Sequence, residues 1–287
     1  MLKIIQQKLL AIKLITRMNK PIGTYLLLWP TYWALWIASD GWPNMQLLLV
    51  FSLGVFIMRS AGCVINDYAD RKIDGKVERT KNRPLVNGMM TPTEAINLFG
   101  ILIGMALGLV LTLSWSTIYL SVVALFLAAI YPFMKRYTQL PQIFLGAAFS
   151  WGMIMAFCEV QGEIPLVAWL LFTANLCWTV AYDTIYAMVD REDDAKIGVK
   201  STAILFAGND KRIIGFLQLI TLALLWTVGD ILAFGWPYQL SLIVAAGLFS
   251  YQQLLIVNRE RNACFQAFLH NHWVGMIVFI GIAIEYL

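Results

Sequence analysis

The sequence predicts an all-α integral membrane protein, with nine transmembrane helices in one bundle. Three observations predict it. First, 60% of the 287 residues are hydrophobic and only 13% are charged, about half the charged share of a soluble domain. Second, several apolar runs reach the ~20 residues that a bilayer core demands. They do not alternate in polarity as barrel strands do. Third, Lys and Arg occupy only every second connection between those runs.

Residues 1–20 read as an amphipathic cytoplasmic lead-in. Lys3, Lys8, Lys13, Arg17 and Lys20 interleave with Leu2, Ile5, Leu9 and Ile12, the pattern of a helix lying in the interface. No small-residue cleavage site follows a short apolar core, so no signal peptide is expected. The absence of an Arg- and Ser-rich, acid-poor leader favours a bacterial inner membrane over a mitochondrial one.

The nine spans are expected at 22–38, 45–65, 94–113, 116–133, 141–159, 164–188, 213–229, 237–257 and 272–287. Pro30 breaks the first. Trp29, Trp33 and Trp36 form an aromatic stripe there; helix or lipid packing is the default reading, and a wall of an isoprenoid channel the rival. The turns on one side carry Gly, Trp and Pro, as in Asp40-Gly41-Trp42-Pro43 and Gly235-Trp236-Pro237, which fits an interfacial aromatic belt. No composition break divides the chain, so residues 1–287 are expected to form a single domain.

Basic charge orients the bundle. Five Lys and Arg precede the first span, six lie in 66–93, two in 134–140, five in 189–212 and two in 258–271. The alternate connections hold none. The positive-inside rule then places the N-terminus in the cytoplasm and the C-terminus on the far side. Cys63, Cys158, Cys177 and Cys264 show no C-x-x-C pairing, and small buried side chains are expected rather than a disulfide or metal site.

Two acidic stretches stand out. Asn66-Asp67-Tyr68-Ala69-Asp70-Arg71-Lys72-Ile73-Asp74 closes the second span, and Asn66, Asp70 and Asp74 share one helical stripe if the helix continues. Tyr182 to Asp194 closes the sixth, with Asp183, Asp190 and Asp194 on one stripe. Asp190 and Asp194 each lie 120 residues after Asp70 and Asp74. Charge concentrated at two equivalent places in a hydrophobic chain argues for a site, and the recurrence looks like an internal pseudo-repeat. Hard oxygen ligands in this pattern suit Mg²⁺ shared between a few carboxylates and a phosphate. A solvated acidic-basic loop is the bland alternative.

At these residues the chain resembles the UbiA superfamily of intramembrane prenyltransferases. Its signatures N-D-x-x-D-x-x-x-D and D-x-x-x-D match Asn66, Asp67, Asp70 and Asp74, then Asp190 and Asp194. Lys20-Pro21-Ile22-Gly23-Thr24, Leu28-Trp29-Pro30-Thr31, Tyr131-Pro132-Phe133-Met134-Lys135-Arg136 and Ile197 to Thr202 extend the likeness, toward members that act on 4-hydroxybenzoate. The resemblance implies a nine-helix bundle around a central cavity. It implies transfer of a polyprenyl group from polyprenyl diphosphate to the ring carbon ortho to the hydroxyl, a membrane step of ubiquinone biosynthesis. Naphthoate, haem or chlorophyll acceptors are the alternatives within the family.

On that reading Asp70 and Asp74 on one side and Asp190 and Asp194 on the other hold Mg²⁺. Arg71, Lys135, Arg136 and Lys200 are candidate phosphate contacts. Asp67 or Asp183 would accept the phenol proton, and Asn66 would orient groups. Arg59, the one basic residue inside a span, is a functional-site hypothesis by default. It lies seven residues before Asn66, about 10 Å deeper, a depth suited to the acceptor's carboxylate. Its structural rival is pairing with a helix carbonyl or with Glu159. Lys76, Arg79, Lys81 and Arg83 suit the same anionic ligand, with topology-setting charge as the rival reading; Glu192 and Asp193 are expected in solvent, and His270 and His272 as interface polar residues. A secondary transporter would place its charges mid-span, which this chain does not. A phosphatidyl-group transferase would open with D-G-x-x-A-R, which is missing. The expected partners are the two substrates and the bilayer, with no nucleic acid.

Overall fold

The protein is described by a computed structural model covering residues 2–287, with side chains from Ile5 onward. Met1 and the side chains of Leu2 and Lys3, part of the expected lead-in pattern, lie outside the described residues. All the regular structure described is helical. The helices are α1 (Leu2–Ile15), α2 (Ile22–Ala38), α3 (Met45–Asp70), α4 (Pro92–Val110), α5 (Trp115–Tyr137) and α6 (Pro141–Gln161). They continue as α7 (Leu166–Ile197), α8 (Thr202–Phe206), α9 (Asp210–Ile231), α10 (Trp236–Leu255) and α11 (Arg261–Glu285).

Seven segments are long and apolar enough to cross a membrane: α3, α4, α5, α6, α7, Thr202–Ile231 and α11. The 17-residue α2 and the 20-residue α10 occupy the other two expected spans. Local chemistry sets the ends. The Asn44 side chain accepts from the Gln46 N–H at 2.8 Å to start α3. Thr91 and Glu94 form a reciprocal capping box on α4, satisfying two amides that a helix start leaves unpaired. Gly198, at φ 73°, ends α7 in the left-handed conformation, where a side chain would be strained.

Several helices outrun the apolar segments that predict them; α11, expected from 272, already begins at Arg261. α3 reaches Asp70 rather than residue 65, and α7 reaches Ile197 rather than 188. Hydropathy stops at the membrane edge, whereas backbone hydrogen bonding continues until a cap intervenes. Both acidic motifs therefore begin on helix rather than in loop.

α7 sits centrally and packs against α6, α9 and α11, while α2 bridges α6 and α11. Trp33 of α2 stacks on Trp178 of α7 at 5.6 Å. Their indole N–H groups donate to Gly275 O and Asn271 Oδ1, each at 2.9 Å. Trp36 meets Phe279 edge-on at 4.9 Å, and Trp29 stacks on the same ring at 5.6 Å. The tryptophan stripe is thus helix-packing surface rather than a channel wall. A small satellite core of Ala11, Ile15, Val64, Met90 and Ala95 docks α1 onto α3 and α4. α4 and α5 touch only lightly, and a cavity opens behind them.

Candidate active site at the ends of α3 and α7

The two acidic motifs face each other across one polar chamber. α3 stops at Asp70, where the Ile73 N–H donates to Asp70 O at 2.7 Å. Asp74 then opens a 3-10 turn, Asp74–Lys76. The expected stripe of Asn66, Asp70 and Asp74 is therefore helical only through its second member. The turn, held by Thr80 Oγ1 donating to Asp74 O at 2.7 Å, folds Asp74 back inward. On α7, Asp183, Asp190 and Asp194 do lie on one continuous helix.

Asn66, Asp70, Asp74, Asp183, Asp190 and Asp194 all border a chamber of about 160 Å³. Lys135 and Lys200 border it too. Beside it lies a larger cavity of about 1200 Å³, whose wall is mostly apolar and runs along α2 to α5. Asn66, Arg79, Arg83, Tyr131, Asp183 and Asp190 belong to both walls. A charged pocket and a long apolar cavity therefore meet at one shared partition.

Every acid of the first motif is matched by a base. Asp67, 1% exposed, accepts from Arg17 at 2.9 and 3.0 Å and lies 3.0 Å from Arg83. Arg83 also donates to Asp74 at 2.7 Å. Lys135 donates to Asp70 Oδ2. In the second motif Arg79 holds Asp190 through three hydrogen bonds of 2.5 to 3.0 Å. Burial works against the charge of Arg83, yet the adjoining Asp67 and Asp74 outweigh it and hold its pKa above the ordinary value. For Arg79 burial again opposes the charge, while Tyr186 and Asp190 raise the pKa above its usual range. Both guanidinium groups remain fixed cations.

The chamber's chemistry fits a divalent metal. Asp70 Oδ1 is buried with no hydrogen-bond partner, an oxygen that costs free energy unless something approaches it. Among the described residues no three carboxylate, thiol or imidazole groups form a metal cage by themselves.

The candidate phosphate contacts separate into two groups. Lys135 and Lys200 border the chamber. Arg71 and Arg136 border neither cavity: Arg71 donates to Tyr68 O and Arg136 to Ala69 O, both at 2.6 Å, so they cap the end of α3. Arg79 and Arg83, which the sequence leaves open between anion contacts and topology charges, stand in the shared partition. Only their place in a dense run of six basic residues beside the first motif singles them out in the sequence. Tyr131 and Tyr186 in that partition carry no sequence signal beyond the resemblance of Tyr131's own stretch.

Arg59 borders the large cavity, with its guanidinium 5.8 Å from the centre of the Phe149 ring. Glu159 is engaged elsewhere: it accepts from Ser114 N at 2.9 Å and Ser114 Oγ at 2.8 Å. The pairing of Arg59 with Glu159 is thereby removed. Glu192 is exposed, as expected, and touches Arg261 at 3.1 Å, while Asp193 is partly covered and pairs with Arg261 at 3.2 Å between α7 and α11. His272 borders the large cavity, while His270 packs 5.0 Å from the Tyr251 ring.

The chain was compared with known proteins. The UbiA prenyltransferase family model matches residues 27–275. A 4-hydroxybenzoate octaprenyltransferase of Colwellia psychrerythraea is 90% identical over the full length of both chains. One from Citrobacter koseri is 58% identical, covering 98% of this chain and 97% of its own. Among solved structures, the apo form of a UbiA homolog from Aeropyrum pernix has a TM-score of 0.82 at 24% identity, covering 93% of this chain and 99% of its own. A UbiA homolog from Archaeoglobus fulgidus bound to GPP and Mg²⁺ has a TM-score of 0.69 at 16% identity, over 96% of this chain and 100% of its own. Motifs, architecture and full-length identity converge: the chain belongs to the UbiA prenyltransferase family.

Proposed function

We propose that this protein transfers a polyprenyl group from polyprenyl diphosphate to the ring carbon ortho to the hydroxyl of 4-hydroxybenzoate. The observation that carries the geometry is the shared partition between a charged chamber and a large apolar cavity. A polyprenyl diphosphate has that division: an anionic head on a long apolar tail. The reacting carbon joins the two parts and would sit at the partition. The names of the two relatives at 90% and 58% identity supply the acceptor.

In the reaction the allylic C–O bond breaks, diphosphate leaves, a C–C bond forms and the ring loses a proton. Asp70, Asp74, Asp190 and Asp194 would hold Mg²⁺, which offsets the charge that develops on the leaving diphosphate. The Archaeoglobus homolog's bound Mg²⁺ supports this assignment. Lys135 and Lys200, joined by Arg79 and Arg83, would contact the phosphates; arginine offers a bidentate fork and lysine a point charge. Arg71 and Arg136 support the end of α3 that carries Asp70. Asn66 and Asp183 border both cavities, where they can orient the acceptor and take its proton. The Asp67 oxygens are occupied by Arg17 and Arg83, which leaves Asp183 the better placed of the two. The apolar cavity wall excludes water that would quench the allylic cation. Arg59 would pair with the acceptor's carboxylate.

We further propose that α2 and α10 complete nine crossings, with the N-terminus and both acidic motifs at the cytoplasmic face of a bacterial inner membrane. The whole chain forms one domain, with residues 1–20 as its interfacial lead-in. The distribution of Lys and Arg supports this orientation. The decisive experiment incubates membranes containing the protein with 4-hydroxybenzoate, a polyprenyl diphosphate and Mg²⁺. Formation of 3-polyprenyl-4-hydroxybenzoate supports the reading. Preferential prenylation of a naphthoate acceptor would replace it.

A further inference from the structure

Gly23 lies in the first turn of α2, facing Arg59 of α3. Its backbone does not require glycine: Gly41, Gly88, Gly162 and Gly198 have positive φ, and Gly23 does not. Space requires it. A Cβ on Gly23 would stand 2.5 Å from Nη2 of Arg59, 2.6 Å from Cζ and closer still to Nε. The Arg59 guanidinium therefore lies in the slot left by the missing side chain. Both residues border the large cavity, so the slot opens onto it.

We infer that Gly23 is a positioning residue for acceptor recognition: its bare backbone seats the Arg59 guanidinium at the depth where the acceptor's carboxylate is read. This inference rests on the reading of Arg59 as that carboxylate's partner. The guanidinium also lies 5.8 Å from the centre of the Phe149 ring. It thus lies against both a helix backbone and an aromatic ring, and it borders the large cavity that a ligand would enter. A guanidinium fixed in this way offers a planar fork, and a carboxylate binds such a fork in two parallel hydrogen bonds. The class of acceptor selected is therefore an aromatic acid, in preference to a neutral phenol of the same shape.

The same geometry separates function from folding. What a Cβ would strike is the far end of a flexible side chain, not backbone. Gly23→Ala can be accommodated by swinging the Arg59 head group aside, and alanine is the better helix former. The variant should keep its thermal midpoint or gain slightly, while acceptor binding suffers. A merely structural glycine would show the reverse.

The test measures KM for 4-hydroxybenzoate and for polyprenyl diphosphate in Gly23→Ala, Arg59→Leu, Arg59→Lys and the Gly23→Ala/Arg59→Lys pair, with a thermal midpoint for each. Gly23→Ala should raise the 4-hydroxybenzoate KM about tenfold or more, the loss expected for a charge-assisted hydrogen bond. The diphosphate KM should not move. In the Arg59→Lys background Gly23→Ala should add little, because the crowded guanidinium atoms are gone; that non-additivity is the signature of direct coupling. If Arg59→Leu raises the acceptor KM and Gly23→Ala does not, the positioning role is wrong and the Arg59 reading stands. If Arg59→Leu leaves the acceptor KM unchanged, the Arg59 reading fails and takes this inference with it. If Gly23→Ala fails to fold, the pair decides: equal failure beside Arg59→Lys marks a structural glycine, and recovery supports the slot.

Discussion

Arg79, nine residues after Asp70, clasps Asp190 on α7 through three hydrogen bonds of 2.5 to 3.0 Å. The loop that follows the first acidic motif is thus locked onto the second. The Arg79 guanidinium also lies 4.6 Å from the centre of the Tyr186 ring. This bridge ties together the two carboxylate sets that, on the proposed function, act on one diphosphate. Arg79→Lys keeps the charge but loses the fork and the flat face over the ring. It should weaken diphosphate binding about tenfold or more and leave the 4-hydroxybenzoate KM unaltered. Steady-state kinetics on both substrates checks it, and an unchanged diphosphate KM would remove Arg79 from the phosphate site.

Metal removal tests the orphaned Asp70 oxygen. Turnover should vanish in excess chelator and return when Mg²⁺ is restored. The folded protein should survive, because three of the chamber's acids already have basic partners: Lys135 for Asp70, Arg83 for Asp74 and Arg79 for Asp190. A thermal midpoint measured with and without chelator separates the two effects. Full turnover without divalent metal would end the metal assignment.

Single carboxylate deletions should divide by place. Asp70→Ala, Asp74→Ala, Asp190→Ala and Asp194→Ala should each cut kcat by about a hundredfold or more, as loss of one charge-stabilising contact does elsewhere. Asp193→Ala should cost far less, since Asp193 only shares Arg261 with Glu192, and surface pairs contribute little. Comparable losses at Asp193 and Asp190 would overturn the division.

The membrane orientation is open to labelling. Cysteines placed at Lys81 and Lys196 should react with an impermeant thiol reagent from the cytoplasmic side only. Lys81 lies on the basic connection between α3 and α4 and Lys196 in the last turn of α7, each close to an acidic motif. Labelling from the periplasmic side would invert the bundle.

Much of this architecture is legible in the sequence, because bilayer thickness acts on every span. The helix Ile22–Ala38 has the bounds that hydropathy predicts. Asp70, Asp74, Asp190 and Asp194 announce themselves because acids are costly in an apolar chain. The break after Asp70 is not legible, since nothing in Arg71-Lys72-Ile73 forbids another helical turn. Arg79 and Arg83 are hidden for a different reason. Their role depends on how the connection between α3 and α4 folds back over the chamber, and a basic loop reads the same whether it faces solvent or substrate. The slot at Gly23 pairs α2 with α3, and neither helix signals it alone.

Asp67 and Asp183 present the remaining chemical choice, and their surroundings predict opposite phenotypes. Asp67 is gripped by Arg17 from the α1–α2 connection and by Arg83 from the loop after α3. It ties three segments together. Replacing it with asparagine leaves two cations short of a buried counter-charge, a change that costs about 3–5 kcal/mol when such a pair is broken. Asp67→Asn should therefore lower the thermal midpoint markedly, and the protein that remains folded should retain much of its kcat. Asp183 borders both cavities, where the proposed reaction has the ring lose its proton. Asp183→Asn is nearly the same size but cannot accept that proton at a useful rate. It should keep the thermal midpoint and the affinity for a non-hydrolysable diphosphate analogue, while kcat falls by about a hundredfold or more, the usual contribution of a positioned base. The two variants measured side by side decide the matter. A kcat collapse in folded Asp67→Asn with near-normal turnover in Asp183→Asn would move the base to the other motif and make Asp183 the structural acid.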